Sequence, residues 1–202
     1  MTSPQPGDIL ACYGSDLASR FISGVTASAF APRRLRIGPS HVAIACLWNG
    51  STVWVESTTM CRHPCLIQQG IVRGPQVHRP DERMDDYLST NGRVDIYRST
   101  RIHQFTDEEQ ELLSRLLIED VVGHPRTYDL PAALLSGTRL LQLLQHFRAA
   151  DLESLFCSEL IATVMMRLNR MSHQNPARFH PARLLRTLVS CGTYQYFDPR
   201  TK

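Results

Sequence analysis

Ser40-His-Val-Ala-Ile-Ala-Cys-Leu-Trp-Asn-Gly-Ser-Thr-Val-Trp-Val-Glu-Ser-Thr58 is the stretch that decides the fold. Two β-rich runs flank Asn49-Gly50, and Asn-Gly in that setting marks a two-residue type I′ turn, because both turn positions need positive φ. The turn sets the register. Trp48 faces Ser51, so further down Ala43 faces Glu56 and His41 faces Thr58. Side chains alternate with period two, which puts His41, Ala43 and Ala45 on one face with Trp54 and Glu56. Val42, Ile44, Cys46, Val53 and Val55 form the other face, which reads as core. Glu56 becomes the diagonal neighbour of His41, about 7–8 Å away between Cα atoms and within reach of a long side chain. The small Ala43 and Ala45 leave room for a helix to dock on the His41 side.

A second stretch, Ser154-Leu-Phe-Cys-Ser-Glu-Leu-Ile-Ala-Thr-Val-Met-Met-Arg-Leu168, reads as an amphipathic helix. Cys157, Leu160, Ile161, Val164 and Leu168 follow the spacing of one helical face. Ser154 as N-cap would place Cys157 in the first turn. There the unpaired amides and the positive end of the macrodipole favour a thiolate. Taken alone, such a cysteine is more often a small core residue, and a lone strand histidine a polar residue with a satisfied partner. Thiol, imidazole and carboxylate together fit the nucleophile, base and orienter of covalent catalysis.

Gly7-Asp-Ile-Leu10, Ser40-His-Val-Ala-Ile44, Trp54-Val-Glu-Ser57, Gly123 with Tyr128-Asp129 after four intervening residues, and Phe156-Cys-Ser-Glu-Leu160 occur in that order. In this the chain resembles the permuted papain-like hydrolases, circularly permuted relatives of the NlpC-type cell-wall peptidases, in their YiiX/YaeF-like branch. The resemblance spans residue 7 to about residue 188. It implies an α+β fold of the circularly permuted papain-like kind, with a central antiparallel sheet and the nucleophile helix packed on it. It implies Cys157 as nucleophile, His41 as general base and Glu56 as the third polar residue. Tyr128, Ser158 and Ser40 are candidate substrate or oxyanion contacts. The expected activity is that of a papain-like cysteine amidase or peptidase, acting on a cell-wall peptide or an N-acyl compound through a thioester acyl-enzyme. The alternatives are an ester or lipid hydrolase or an acyltransferase on the same site, or a non-catalytic binding module of a virion or cell envelope. The chain departs from the family pattern at Pro39 and in the apolar segment 130–145, both flanking the expected cleft, which leaves substrate identity open.

Composition sets the frame. At 202 residues the chain is long enough for one domain with a real core, and its 43 % hydrophobic and 20 % charged residues are ordinary for a soluble globular protein. A net charge of +3 is too mild to argue for nucleic acid. Arg33, Arg34 and Arg36 read as a solvated basic loop. No basic n-region with an apolar h-region stands at the N-terminus, and no apolar run approaches the roughly 20 residues of a membrane span. The six cysteines lack disulfide-framework spacing. The expectation is therefore reduced thiols in a cytoplasmic protein, with release by lysis as the exception for a phage-borne one. No cofactor and no metal are expected. Cys61-Arg-His-Pro-Cys65 offers three soft ligands, whereas a structural zinc site usually takes four from two separated pairs.

Along the chain, Gly7–Cys12 reads as a strand, and Ser15–Val25 as a helix with Leu17, Phe21, Ile22 and Val25 inward. Gly70–His78 and Arg93–Arg98 read as strands and Asp81–Leu88 as a short helix between them. Thr106-Asp-Glu-Glu109 is a capping box opening a helix that carries Leu112, Leu113, Leu116 and Leu117. The nucleophile helix should break at Asn175-Pro176. A last helix follows His180 with Pro181 in its first turn, and Tyr194–Phe197 closes the sheet.

Overall fold

In the computed structural model, which describes residues 3–123 and 150–198 and only the backbone of 150–156, the Asn49-Gly50 turn is present. Both residues have positive φ, 50° and 75°, as a type I′ turn requires. Strands β2 (His41–Trp48) and β3 (Ser51–Thr58) pair from Trp48↔Ser51 to Ile44↔Val55, the register set by the turn. Beyond that point each strand pairs with its outer neighbour. His41, Val42 and Ala43 pair with β1 (Ile9–Tyr13), and Glu56, Ser57 and Thr58 with β4 (Gly74–His78). Adding β5 (Arg93–Ser99) and β6 (Tyr194–Tyr196) gives a six-stranded antiparallel sheet of order β4-β3-β2-β1-β5-β6. The fold is a mixed α+β one.

The two faces of the sheet carry different helices. On the Leu10, Ala43, Ala45 and Trp54 face sits α2 (Pro80–Ser89), through Met84 and Tyr87. On the Val42, Ile44, Cys46, Val53 and Val55 face lie α3 (Asp107–Arg115), α4 (Ala150–Arg167) and α5 (Pro181–Ser190). A π-helical turn, Leu116–Val122, extends α3 and adds Leu117 and Val121 to that core. The space beside Ala43 and Ala45 is thus filled by α2. The helix bearing Cys157 docks on the opposite face, because Met84 and Tyr87 already occupy the shallow surface left by the two alanines.

Local signals account for most boundaries. Thr106 and Glu109 form the reciprocal capping box at the start of α3, and His180 caps α5 with Pro181 in the first turn. Helix α4 stops at Arg167, before Asn175-Pro176, because Asn169 takes a left-handed φ of 53° and the chain folds back onto Met165 and Met166. Helix α1 (Leu17–Val25) departs from the expectation at three of its four inward positions, Ile22 being half-buried. Leu17, Phe21 and Val25 are 86 %, 46 % and 67 % exposed, and Ser23 is its buried residue. It contributes to neither core cluster of the sheet, and its Ala18–Ser19–Ile22 edge borders the cavity beside His41. Far ends of the chain are tied together. The buried Asp8 takes two charge-assisted bonds from Arg98 (2.9 and 2.7 Å), and the Tyr194 hydroxyl donates to the Gly7 carbonyl at 2.8 Å.

Candidate active site

His41 opens β2 where the hairpin ladder has already ended, and its ring reaches across to β3. His41 Nε2 meets Glu56 Oε2 at 2.7 Å. The other carboxylate oxygen accepts from Arg83 Nε of α2 at 2.6 Å. Arg83 Nη1 also donates to Asp86, and His63 Nε2 donates to the same carboxylate at 3.0 Å. Glu56 is 1 % exposed and Arg83 6 %, so the centre of this relay is buried. Cys157 lies within hydrogen-bonding and coulombic range of His41. Because Nε2 is committed to Glu56, Nδ1 is the ring nitrogen left for the thiol.

Charge in the relay is set by opposing effects. Burial disfavours the imidazolium of His41, but the Cys157 sulfur and then the Glu56 carboxylate outweigh it, and the pKa is raised. Burial likewise disfavours ionised Glu56. The hydrogen bond and charge of His41, with the Arg83 guanidinium, overcome it and hold the carboxyl well below the usual carboxylate range. Arg83 is pushed up in turn by Glu56 against its own desolvation.

The described residues place the expected groups as follows. His41, Glu56 and Cys157 come together. Ser40 borders them, its hydroxyl accepting from Gly14 N and donating to the Cys12 carbonyl, both at 3.2 Å. Ser158 is fully buried, and its hydroxyl donates to the Phe179 carbonyl at 2.5 Å, which ties α4 to the chain before α5. Tyr128, Asp129 and the apolar segment 130–145 lie outside the described residues. Cys157 does not sit in a first helical turn. Helix α4 runs from Ala150, so Ser154 is inside it and Cys157 is its eighth residue. At that depth the Cys157 amide belongs to the i→i−4 ladder, and neither the dipole nor a free N–H is on offer there. Cys157 is also fully buried, as part of the core cluster with Val42, Ile44 and Val55. His41 instead borders a cavity of about 470 Å³, lined also by Ser40, Thr58, Arg62, Arg83 and Tyr87.

Arg83, Asp86 and His63 are absent from the sequence-based site. A signal for Arg83 exists: it shares the i, i+4 face of α2 with Tyr87, beside Met84, and a cation on the apolar stripe of a helix calls for a buried anion. No family model matches this chain, and no curated protein matches it. The likeness to the permuted papain-like hydrolases is therefore carried by the motifs quoted above.

Proposed function

We propose that this chain is a cysteine hydrolase of permuted papain-like architecture that cleaves an amide bond, in a cell-wall peptide or an N-acyl compound. One observation carries the reading: a single imidazole held between a thiol and a buried carboxylate that is itself clamped by a guanidinium. In the mechanism, the Cys157 proton passes to His41 and the sulfur attacks the substrate carbonyl carbon. The tetrahedral oxyanion collapses, the C–N bond breaks, and the amine leaves with the proton from His41. Water, losing a proton to His41, then attacks the thioester, releasing the acid and restoring the thiol. Glu56 holds the ring by Nε2 and offsets its charge throughout, the role of the third member of such triads. Arg83 holds Glu56. An ester substrate or a competing acyl acceptor would use the same intermediate.

The complete burial of Cys157 favours a second reading, a non-catalytic binding module on the same fold. Intact-protein mass spectrometry after incubation with activated acyl esters separates the two. An acyl group appearing on Cys157, released on standing, and absent in Cys157→Ala and His41→Ala variants of unchanged circular dichroism, is the result expected of the enzyme. Acylation confined to the exposed Cys191, with Cys157 untouched, would hand the case to the binding module.

A further inference from the structure

Glu56 has two neighbours that the relay does not use. The Cys61 sulfur, a His78 ring nitrogen and a Glu56 carboxylate oxygen all lie within 4.8 Å of one another. The three residues are 4 %, 0 % and 1 % exposed. The free valence at this cluster can be worked out from Gln76. Its amide nitrogen donates to the carbonyls of Thr58 (2.7 Å) and Gly74 (3.1 Å), which fixes which end of the amide faces which way. Its oxygen then faces His78 Nε2 at 2.9 Å, and an amide oxygen only accepts, so Nε2 carries the ring proton. In the neutral ring Nδ1 is left as a bare lone pair, buried and without a hydrogen-bond partner. The Cys61 thiol does not supply one, since it points to the His63 carbonyl at 3.9 Å.

We propose that Cys61 Sγ, His78 Nδ1 and one oxygen of Glu56 form a binding site for a thiophilic divalent cation, Zn²⁺ being the best fit. One sulfur, one imidazole nitrogen and one carboxylate oxygen are a zinc donor set, with a water completing the tetrahedron. Bond lengths of about 2.0–2.3 Å put tetrahedral donors about 3.3–3.8 Å apart, so the cluster closes by about 1–1.5 Å at most. The Gln76 bond to the far nitrogen is the outer-shell contact that orients a ligating imidazole. The Glu56 and Asp86 carboxylates already face Arg83, and the negative charge that balances the cation comes from Cys61 as it gives up its proton. Glu56 can serve both neighbours because two carboxylate oxygens offer about four lone-pair sites, of which His41 and Arg83 use two. Binding releases the Cys61 proton to solvent as the S–M bond forms. Cys65 is no ligand: its sulfur accepts from Val77 N at 3.4 Å within the core. The site does not depend on the hydrolase reading.

Co²⁺ titration of the full chain tests it, run in the wild type and in Cys157→Ala so that the Cys157–His41 pair cannot report. One equivalent should give a thiolate-to-cobalt charge-transfer band with intense tetrahedral d–d bands, bleached by Zn²⁺ and retained in Cys157→Ala. Affinity should fall at least tenfold in Cys61→Ser and in Gln76→Leu. X-ray absorption of Zn²⁺-loaded Cys157→Ala protein needs no change at the site itself. It should show one sulfur at about 2.3 Å with nitrogen and oxygen completing the shell. No stoichiometric binding, a band that survives Cys61→Ser, or a zinc shell without sulfur would each overturn the proposal.

Discussion

Replacing Arg83 by Met keeps most of the side-chain stem and removes the guanidinium that faces Glu56. The structure gives the size of the effect. The Glu56 side chain has no exposure and that of Arg83 8 %, so neither charge is screened by solvent in the native state. Breaking a buried pair by removing one partner costs about 3–5 kcal/mol, since it leaves an uncompensated ion, and a lost hydrogen bond to a charged group alone is about 1.5–3 kcal/mol. Glu56 keeps His41, so the lower half, about 3 kcal/mol at pH 7, is the expected loss. Its pH dependence has a definite sign. The carboxyl of Glu56 is depressed in the folded protein, so its contribution is present above the ordinary carboxylate value. It is lost as pH falls through the depressed one. With Arg83 gone the depression shrinks, so the gap between wild type and variant should be widest near neutrality and narrow toward pH 3. Urea unfolding at a series of pH values, with a chelator present, reads both quantities. The double variant Arg83→Met/Glu56→Gln should be more stable than Arg83→Met, because it buries no orphan charge. A loss below about 1 kcal/mol at pH 7, or a gap that does not narrow in acid, would refute a buried Glu56–Arg83 pair.

Three other perturbations test the scaffold. Gly50→Ala places a Cβ that meets nothing within 4 Å at a φ of +75°, so its cost, about 1 kcal/mol by denaturation, is purely conformational; no change would speak against the type I′ turn. Tyr194→Phe removes the hydroxyl that holds the Gly7 carbonyl in the core and should cost about 1–3 kcal/mol; an unchanged unfolding midpoint would show that bond to be idle. His180 accepts from Arg183 N through Nδ1 at 3.3 Å, which requires the neutral ring, and burial followed by the charges of Arg186 and Arg183 lowers its pKa to about 4. Stability should therefore fall as pH drops from about 6.5 toward 4, by up to about 3 kcal/mol, and His180→Asn, which caps without titrating, should flatten that limb.

The hairpin was legible because turn chemistry and alternation over-determine it. Asn49-Gly50 permits one register, and Val42, Ile44, Val53 and Val55 permit one inward face. His41 and Glu56 follow from those two facts. What covered each face was not legible. Two alanines on a strand signal space without saying which helix takes it, and the short, half-charged α2 won through Met84 and Tyr87. Helix α4 was harder still. Leu160, Ile161, Ala162, Val164, Met165 and Met166 are all buried, so its pattern carries little polar face to orient it and nothing that marks where it begins. A serine three residues before Cys157 then looked like a cap. The zinc-type cluster escaped for a different reason: Cys61 comes from a loop, His78 from β4 and Glu56 from β3, and no local spacing links them.

On the proposed hydrolase reading, the place of Cys157 two turns into α4 decides where its activation comes from. A helix dipole acts within the first turn and is worth about 0.3–1 kcal/mol at exposed sites, about 2 when partly buried. Two turns into α4 that contribution has faded. The burden passes to the relay. Once the Cys157 proton moves to His41, the charges run negative at Cys157, positive at His41, negative at Glu56, positive at Arg83 and negative at Asp86. His41 and the buried Glu56 and Arg83 each sit between opposite charges, and Cys157 ends the series beside His41, an arrangement that makes ions tolerable in a low dielectric. Glu56 is its middle member. Without the carboxylate, His41 and Arg83 become two facing cations, and the imidazolium that thiol deprotonation requires is opposed rather than supported. The arginine on α2 therefore stabilises the relay only for as long as Glu56 stands between it and the imidazole.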